Sequence, residues 1–179
     1  MPKCLLDMDG VLVDFVGGAL DLLGLDPKIY DKPESLGNWD IVALSGMEPA
    51  NFWEKMGYDF WLNLPWTKDG QEILNFALAQ FGFENICLLT SPCTTEGCME
   101  GKLAWIKKHI PEFGRRYLIG PSKEFCVNPD HYLFDDRDEN IEKFVEHGGK
   151  GVLVPRPWNK LYRLRHDPIG HIVWCFSEQ

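Results

Sequence analysis

The chain of 179 residues is short of positive charge, with 18 Lys and Arg against 27 Asp and Glu and a formal net charge of −9. A broad basic face, which a nucleic-acid polymer or an anionic membrane surface requires, is therefore not expected. No secretory-type apolar stretch opens the sequence, because Asp7 interrupts Met1-Pro2-Lys3-Cys4-Leu5-Leu6, and no later run approaches membrane-spanning length. The expectation is a cytoplasmic protein with no membrane partner. In that compartment the six cysteines, Cys4, Cys87, Cys93, Cys98, Cys126 and Cys175, read as free thiols rather than a disulfide framework. Cys93 and Cys98 have no CxxC partner pair and no histidine at zinc-finger spacing, and the five histidines form no HExxH. Missing too are a GxxxxGK phosphate loop, a GxGxxG turn, a GxSxG elbow, an internal repeat and any low-complexity tract.

Short apolar runs that end abruptly in polar turns are present: KCLLDMDG, ENICLLTSP, RRYLIG, HYLFDDRD and KGVLVPRP. They read as buried strands. Helical patterns lie between them. Asp69-Gly70-Gln71-Glu72 offers a capping box ahead of Ile73, Leu74, Phe76, Ala77 and Phe81, with Gly82 as a stop. Residues 96–109 and 137–147 carry further apolar faces, the latter ended by Gly148-Gly149. Strands alternating with helices predict an α/β fold, a Rossmann-like doubly wound parallel sheet. The stretch 16–66 is different, having no convincing strand and four of the seven tryptophans. It is expected to be a small helical cap inserted after the first strand, leaving 1–15 and 67–179 as the core. An ordinary helical flank on the sheet is the alternative.

Ligands of such sheets bind beyond the carboxyl ends of the strands. Three of the strands run there into Asp7/Asp9, Thr90/Ser91 and Asp135/Asp136. Gly10 lets the backbone bend after the first pair. Four carboxylates gathered at neighbouring strand ends repel one another unless a cation relieves them, and oxygen-only donors favour Mg2+ over zinc. Thr90 and Ser91 supply hydroxyl and main-chain donors suited to phosphate oxygens. Lys123 in GPSKEF and Lys102 in EGKLAW are the cations available to offset the acids and to stabilise charge on a transferring phosphoryl group. A lone Asp-x-Asp is more often a solvated junction; the specific signal is the order D-x-D-G, T-S, K, D-D.

With these motifs the chain resembles the haloacid dehalogenase superfamily of phosphotransferases, and within it is most similar to the 5′(3′)-deoxyribonucleotidases, through DMDGVLVDF, the TSP turn, EGKLAWI and DDRDEN. The resemblance implies a magnesium-dependent phosphomonoesterase of nucleotide metabolism, acting on nucleoside monophosphates through an aspartyl-phosphate. Asp7 is then the nucleophile and Asp9 the general acid and base. Mg2+ is held by Asp7, the Asp9 carbonyl and Asp136, with Asp135 supporting from behind. Thr90, Ser91 and Lys123 hold the phosphate, and Lys102 is either a second phosphate contact or itself the lysine of the third motif. Phe15, Asn38, Trp39 and Asp40 match positions that line the base pocket, where an aromatic face stacks on a base. For Trp39, packing inside the cap is the equal alternative. The chain departs from the vertebrate enzymes at Asn38 and Asp40, and has Cys93 and Thr94 where they carry a basic residue.

Members of the family are often dimeric, which makes a homodimer an expectation of the resemblance alone. The rival readings are the same chemistry on a sugar phosphate or a nucleic-acid 3′-phosphate end, and a non-catalytic phosphate-binding protein. The basic stretch Arg156 to Arg165, with Trp158 and Tyr162, reads as a solvated helix or loop.

Overall fold

The computed structural model describes residues 2–177. All five apolar runs form strands: β1 (Lys3–Leu6), β2 (Ile86–Thr90), β3 (Tyr117–Ile119), β4 (His131–Asp135) and β5 (Lys150–Leu153). They pair in parallel in the order β3-β2-β1-β4-β5. The first strand in sequence is thus central, and the strand order reverses between β1 and β4. Crevices at such a reversal are where open α/β sheets bind ligands.

Alternate side chains of β1, β2, β4 and β5 enter different cores, whereas β3, at the sheet edge and expected to be buried, leaves Leu118 exposed. Cys4, Leu6, Ile86, Leu88, Tyr132 and Phe134 face one side, and Leu5, Leu89, Leu133 and Leu153 the other. Burial on both faces explains why these strands read as continuous apolar runs rather than as alternating ones. On the first face lie α5 (Gly70–Phe81), α6 (Cys98–His109) and α8 (Pro168–Ser177), through Ile73, Ala77, Trp105 and Ile172. On the second, α7 (Asp138–Glu146) packs Ile141 and Phe144. Positive-φ glycines end two of the predicted helices, Gly82 after α5 and Gly148 after α7.

Between β1 and α5 the chain forms α1 (Phe15–Leu23), α2 (Ile41–Ser45), α3 (Pro49–Glu54) and α4 (Tyr58–Asn63), with short 3₁₀ turns and, among the described residues, no strand. Asp14 caps α1 by accepting the Gly17 N–H at 2.9 Å. Helix α4 presses on α6 at Gly97 and Gly101, where a Cβ would come within 2.7 Å of the Tyr58 nitrogen and 2.6 Å of the Trp61 Cβ. No helix among the described residues is long and apolar enough to cross a membrane.

Two expectations fail. The Asp69 carboxylate makes no cap bond to α5. It instead receives Arg156 Nη1 and Nη2, each at 2.8 Å, a bidentate charged pair that outcompetes a single main-chain donor. The stretch after β5 is not a solvated helix or loop at its start, since Arg156, Trp158 and Asn159 are buried. Its only helical turn is the 3₁₀ segment Tyr162–Leu164, and α8 follows.

Candidate active site

Asp7 follows the last residue of β1, and its N–H donates to the Phe134 carbonyl at 3.0 Å, carrying the β1–β4 pairing one residue past the strand. The chain then folds back on itself. Met8 O accepts from Leu12 and Val13, both at 2.8 Å, and Met8, Val11 and Leu12 are buried in the same core as Cys4 and Leu6. Gly10 sits at φ 71°, and a Cβ there would lie 2.0 Å from Asp136 Oδ2. Left-handed backbone and lack of space both demand glycine. Gly10→Ala is expected to cost about 2 kcal/mol or more, read as a lower urea midpoint with unchanged m-value.

The two candidate lysines reach different carboxylates. Lys123, on the 3₁₀ turn after β3, is buried with Nζ 2.6 Å from Asp135 Oδ2 and 2.9 Å from Asp7 Oδ1. The contact to Asp7 is an ion pair off the hydrogen-bonding direction, because Asp7 Oδ1 has no hydrogen-bond partner. Burial alone disfavours the Lys123 ammonium, but the Asp135 and Asp7 charges more than reverse this and keep it protonated. Lys102, one turn into α6, binds Asp9 Oδ2, the Thr90 hydroxyl at 2.9 Å and the Ser91 carbonyl at 2.8 Å, with its ammonium over the Trp61 ring. Each lysine thus ties one of the two acids of DMDG to a different strand end.

Asp135 is saturated: besides Lys123 it accepts the Arg137 N–H at 2.9 Å and Asn140 Nδ2 at 3.1 and 3.0 Å. Asp136 is held from below, accepting Trp158 Nε1 at 2.5 Å while Asn159 Nδ2 binds its carbonyl at 2.8 Å. Arg156 Nε donates to the Gly10 carbonyl at 2.5 Å. The carboxyls of Asp7 and Asp136 are both pushed up, Asp7 to about 7, first by burial. Neighbouring acids add to both shifts, while for Asp7 the Lys123 charge pulls the other way. One oxygen from each of Asp7, Asp135 and Asp136 lies within 4.8 Å of the others, and Asp7 Oδ1 and Asp9 Oδ1 are buried without a donor. Crowded oxygen-only acid groups, with one oxygen each of Asp7 and Asp9 accepting no hydrogen bond, are the donor set of a hard divalent cation, so the residues present fit Mg2+.

A cavity of about 340 Å³ opens above Asp7 and Asp9. Of the predicted pocket residues it takes in Phe15 and Trp39, and Ser91 also reaches it; Thr90 lies beneath, fully buried. Asn38 and Asp40 do not line it. They border an adjoining recess and serve the local backbone, Asn38 Oδ1 accepting Asp40 N–H at 3.0 Å and Asp40 Oδ1 accepting Ala43 N–H at 2.9 Å as the cap of α2. The aromatic wall is instead completed by Trp53 and Trp61, on whose rings Phe15 stacks at 5.8 and 5.4 Å between centroids. Arg137 lies 3.9 Å from the centre of the Trp39 ring. Sequence reasoning missed Trp53, Trp61, Arg137, Asn140 and Trp158. The Trp-rich composition of 16–66 was the available signal for the first two, and DDRDEN for the next two.

The family model described as 5′ nucleotidase, deoxy (pyrimidine), cytosolic type C protein matches residues 2–167. Among solved structures the chain is similar to a haloacid dehalogenase-like family hydrolase from Streptococcus pneumoniae, at 12% identity over 98% of both chains with a TM-score of 0.53. It is also similar to a second hydrolase from Streptococcus pneumoniae TIGR4, at 14% identity over 92% of this chain and 96% of that one, TM-score 0.47. At 12% identity the first likeness shows the fold alone. A search of curated proteins finds no match.

Proposed function

The chain belongs to the cytosolic type C 5′ nucleotidase family and is thus a phosphoric monoester hydrolase of haloacid dehalogenase fold; on that premise we propose that it hydrolyses nucleoside monophosphates with Mg2+, through an aspartyl-phosphate on Asp7. The observation that carries the reading is Asp7 and Asp9 on the floor of one aromatic-walled cavity, beside the crowded carboxylates of Asp135 and Asp136. Residues 16–66 act as the cap and 1–15 with 67–179 as the core.

Asp7 attacks phosphorus, and the ester oxygen leaves with the proton that Asp9 delivers. Asp9 then takes a proton from water, which attacks the phosphoryl group and returns Asp7 as a carboxylate. Lys102 orients Asp9 for both steps through their ion pair, and it anchors the Thr90 and Ser91 strand end that receives the phosphate. Lys123 holds Asp7 and Asp135 together. Asp7, the Asp9 carbonyl and Asp136 would hold Mg2+, which would supply positive charge between the attacking carboxylate and the phosphate. Asp135, already saturated, supports from behind.

The aromatic wall favours a nucleobase over a sugar as the leaving group's far end. Phosphate release is expected from deoxyribonucleoside monophosphates with Mg2+, to vanish with EDTA and to return on adding Mg2+. A panel in which sugar phosphates outrun every nucleotide would overturn the substrate assignment. Trp39→Ala is expected to raise KM for a nucleotide by roughly 5- to 150-fold, the loss of about 1–3 kcal/mol of stacking, with kcat nearly unchanged. Steady-state kinetics separates the two constants.

A further inference from the structure

Outside the carboxylates and their lysines, the cavity wall holds a chemically reactive pair that the phosphatase reading leaves idle. Cys93 lines the cavity that contains Asp7 and Asp9 and is half-buried, within reach of a small solute. Cys98, the first residue of α6, is 1% exposed. The Cys93 N–H donates to Cys98 Sγ at 3.3 Å, which holds the two cysteines against each other across one turn. Both thiols are free. We propose that Cys93 is an oxidation site on the active-site wall, with Cys98 as the resolving thiol that converts it to a reversible disulfide.

The surroundings give the two sulfurs different tasks. Cys93 is pushed down to about 6, chiefly by the neighbouring Cys98 thiol, then by Thr95, with the Lys102 charge helping; Cys98 is pushed up, first by Cys93 and then by burial. Cys93 is thus the sulfur shifted towards the nucleophilic thiolate and Cys98 the one shifted towards the thiol. Cys4, Cys87, Cys126 and Cys175 are all pushed up by burial and are weaker nucleophiles. With hydrogen peroxide as oxidant, the Cys93 thiolate attacks one oxygen and the O–O bond breaks. The hydroxide released takes up a proton to leave as water, and Cys93 becomes a sulfenic acid. Cys98 then loses its proton and attacks that sulfur, the S–O bond breaks, and a second water departs. Two thiols and one peroxide give one disulfide and two waters, and a thiol reductant reverses the change.

The bond reaches the phosphate machinery through the main chain. Cys93 Sγ lies 2.8 Å from Thr95 Oγ1, whose hydroxyl also contacts the Met56 carbonyl at 3.2 Å. Drawing the sulfur towards α6 removes it from that hydroxyl and shifts the loop between Ser91, whose carbonyl binds Lys102, and the helix that carries Lys102 itself.

Intact-protein mass and peptide mapping of the whole chain after peroxide treatment test this, without depending on which phosphate ester is the substrate. The expected product is lighter by about 2 Da with a Cys93–Cys98 linked peptide, reverting with dithiothreitol. In Cys98→Ser, Cys93 is expected to proceed to a sulfinic acid, heavier by about 32 Da, which dithiothreitol does not reverse. Before oxidation that variant should match wild-type phosphatase activity; after it, wild type should regain its activity with dithiothreitol and the variant should not. Absence of the linked peptide in wild type, a different cysteine oxidised first, or full reversal in Cys98→Ser would each overturn the proposal. Should Cys98→Ser fail to fold, the wild-type map alone decides.

Discussion

Asp7→Asn is expected to lower kcat by at least about 10³-fold while leaving a metal-free protein at least as stable as wild type. The amide keeps the shape of the side chain but has no negative oxygen to attack phosphorus. It also removes one of the buried charges that crowd the strand ends. Asp7 is pushed from an ordinary value of 3.8 up to about 7, chiefly by burial. A carboxyl raised in the folded state contributes stability that is complete below its unfolded pKa and is lost as pH rises through the folded one. Metal-free wild type should therefore melt at a lower temperature at pH 8 than at pH 5, and Asp7→Asn should flatten that difference. Thermal melts in EDTA across this window, beside a phosphate-release assay with Mg2+, read both halves. A variant with full activity would remove Asp7 as nucleophile.

Lys123→Met should be the most damaging single change to folding, about 3–5 kcal/mol at neutral pH. The ammonium is buried between Asp7 and Asp135, and methionine fills its volume without its charge. Two acids are then left facing each other in a dry site with Asp136 alongside. Part of the loss should return at pH 5, where a raised carboxyl takes up a proton instead of its missing counterion. Denaturant titrations at pH 5 and pH 7.5 measure the gap. An equal loss at both would mean that Lys123 acts through packing, not charge.

The strands were legible because burial on both sheet faces writes itself as unbroken apolar runs, and the acids were legible because they follow those runs directly. Asp7, Thr90 and Asp135 needed only a strand and its end. What supports them was not legible in the same way. Trp158 and Asn159 meet Asp136 only because the chain after β5 returns beneath the site, and no local pattern announces a return. Arg156 took the Asp69 carboxylate from a cap position that local spacing favours. Around Trp39, nearness in sequence was a poor guide to nearness in space: its neighbours Asn38 and Asp40 spend their side chains on the turn into α2, while Trp53 and Trp61 arrive from later helices.

The central position of β1 bears on how the site comes into being. Its partner β2 begins some 80 residues later, and β4 later still, so the strand that leads into Asp7 keeps an unpaired edge until residues 131–135 are in place. Closing so long a stretch of chain is an entropic cost met before the contact returns anything. The same event brings Asp135 and Asp136 against Asp7, so assembly of the sheet and confinement of the acids coincide. A cation available at that moment lowers the electrostatic part of the barrier, and Lys123, delivered by the turn just after β3, is already in the chain ahead of β4 when the sheet closes.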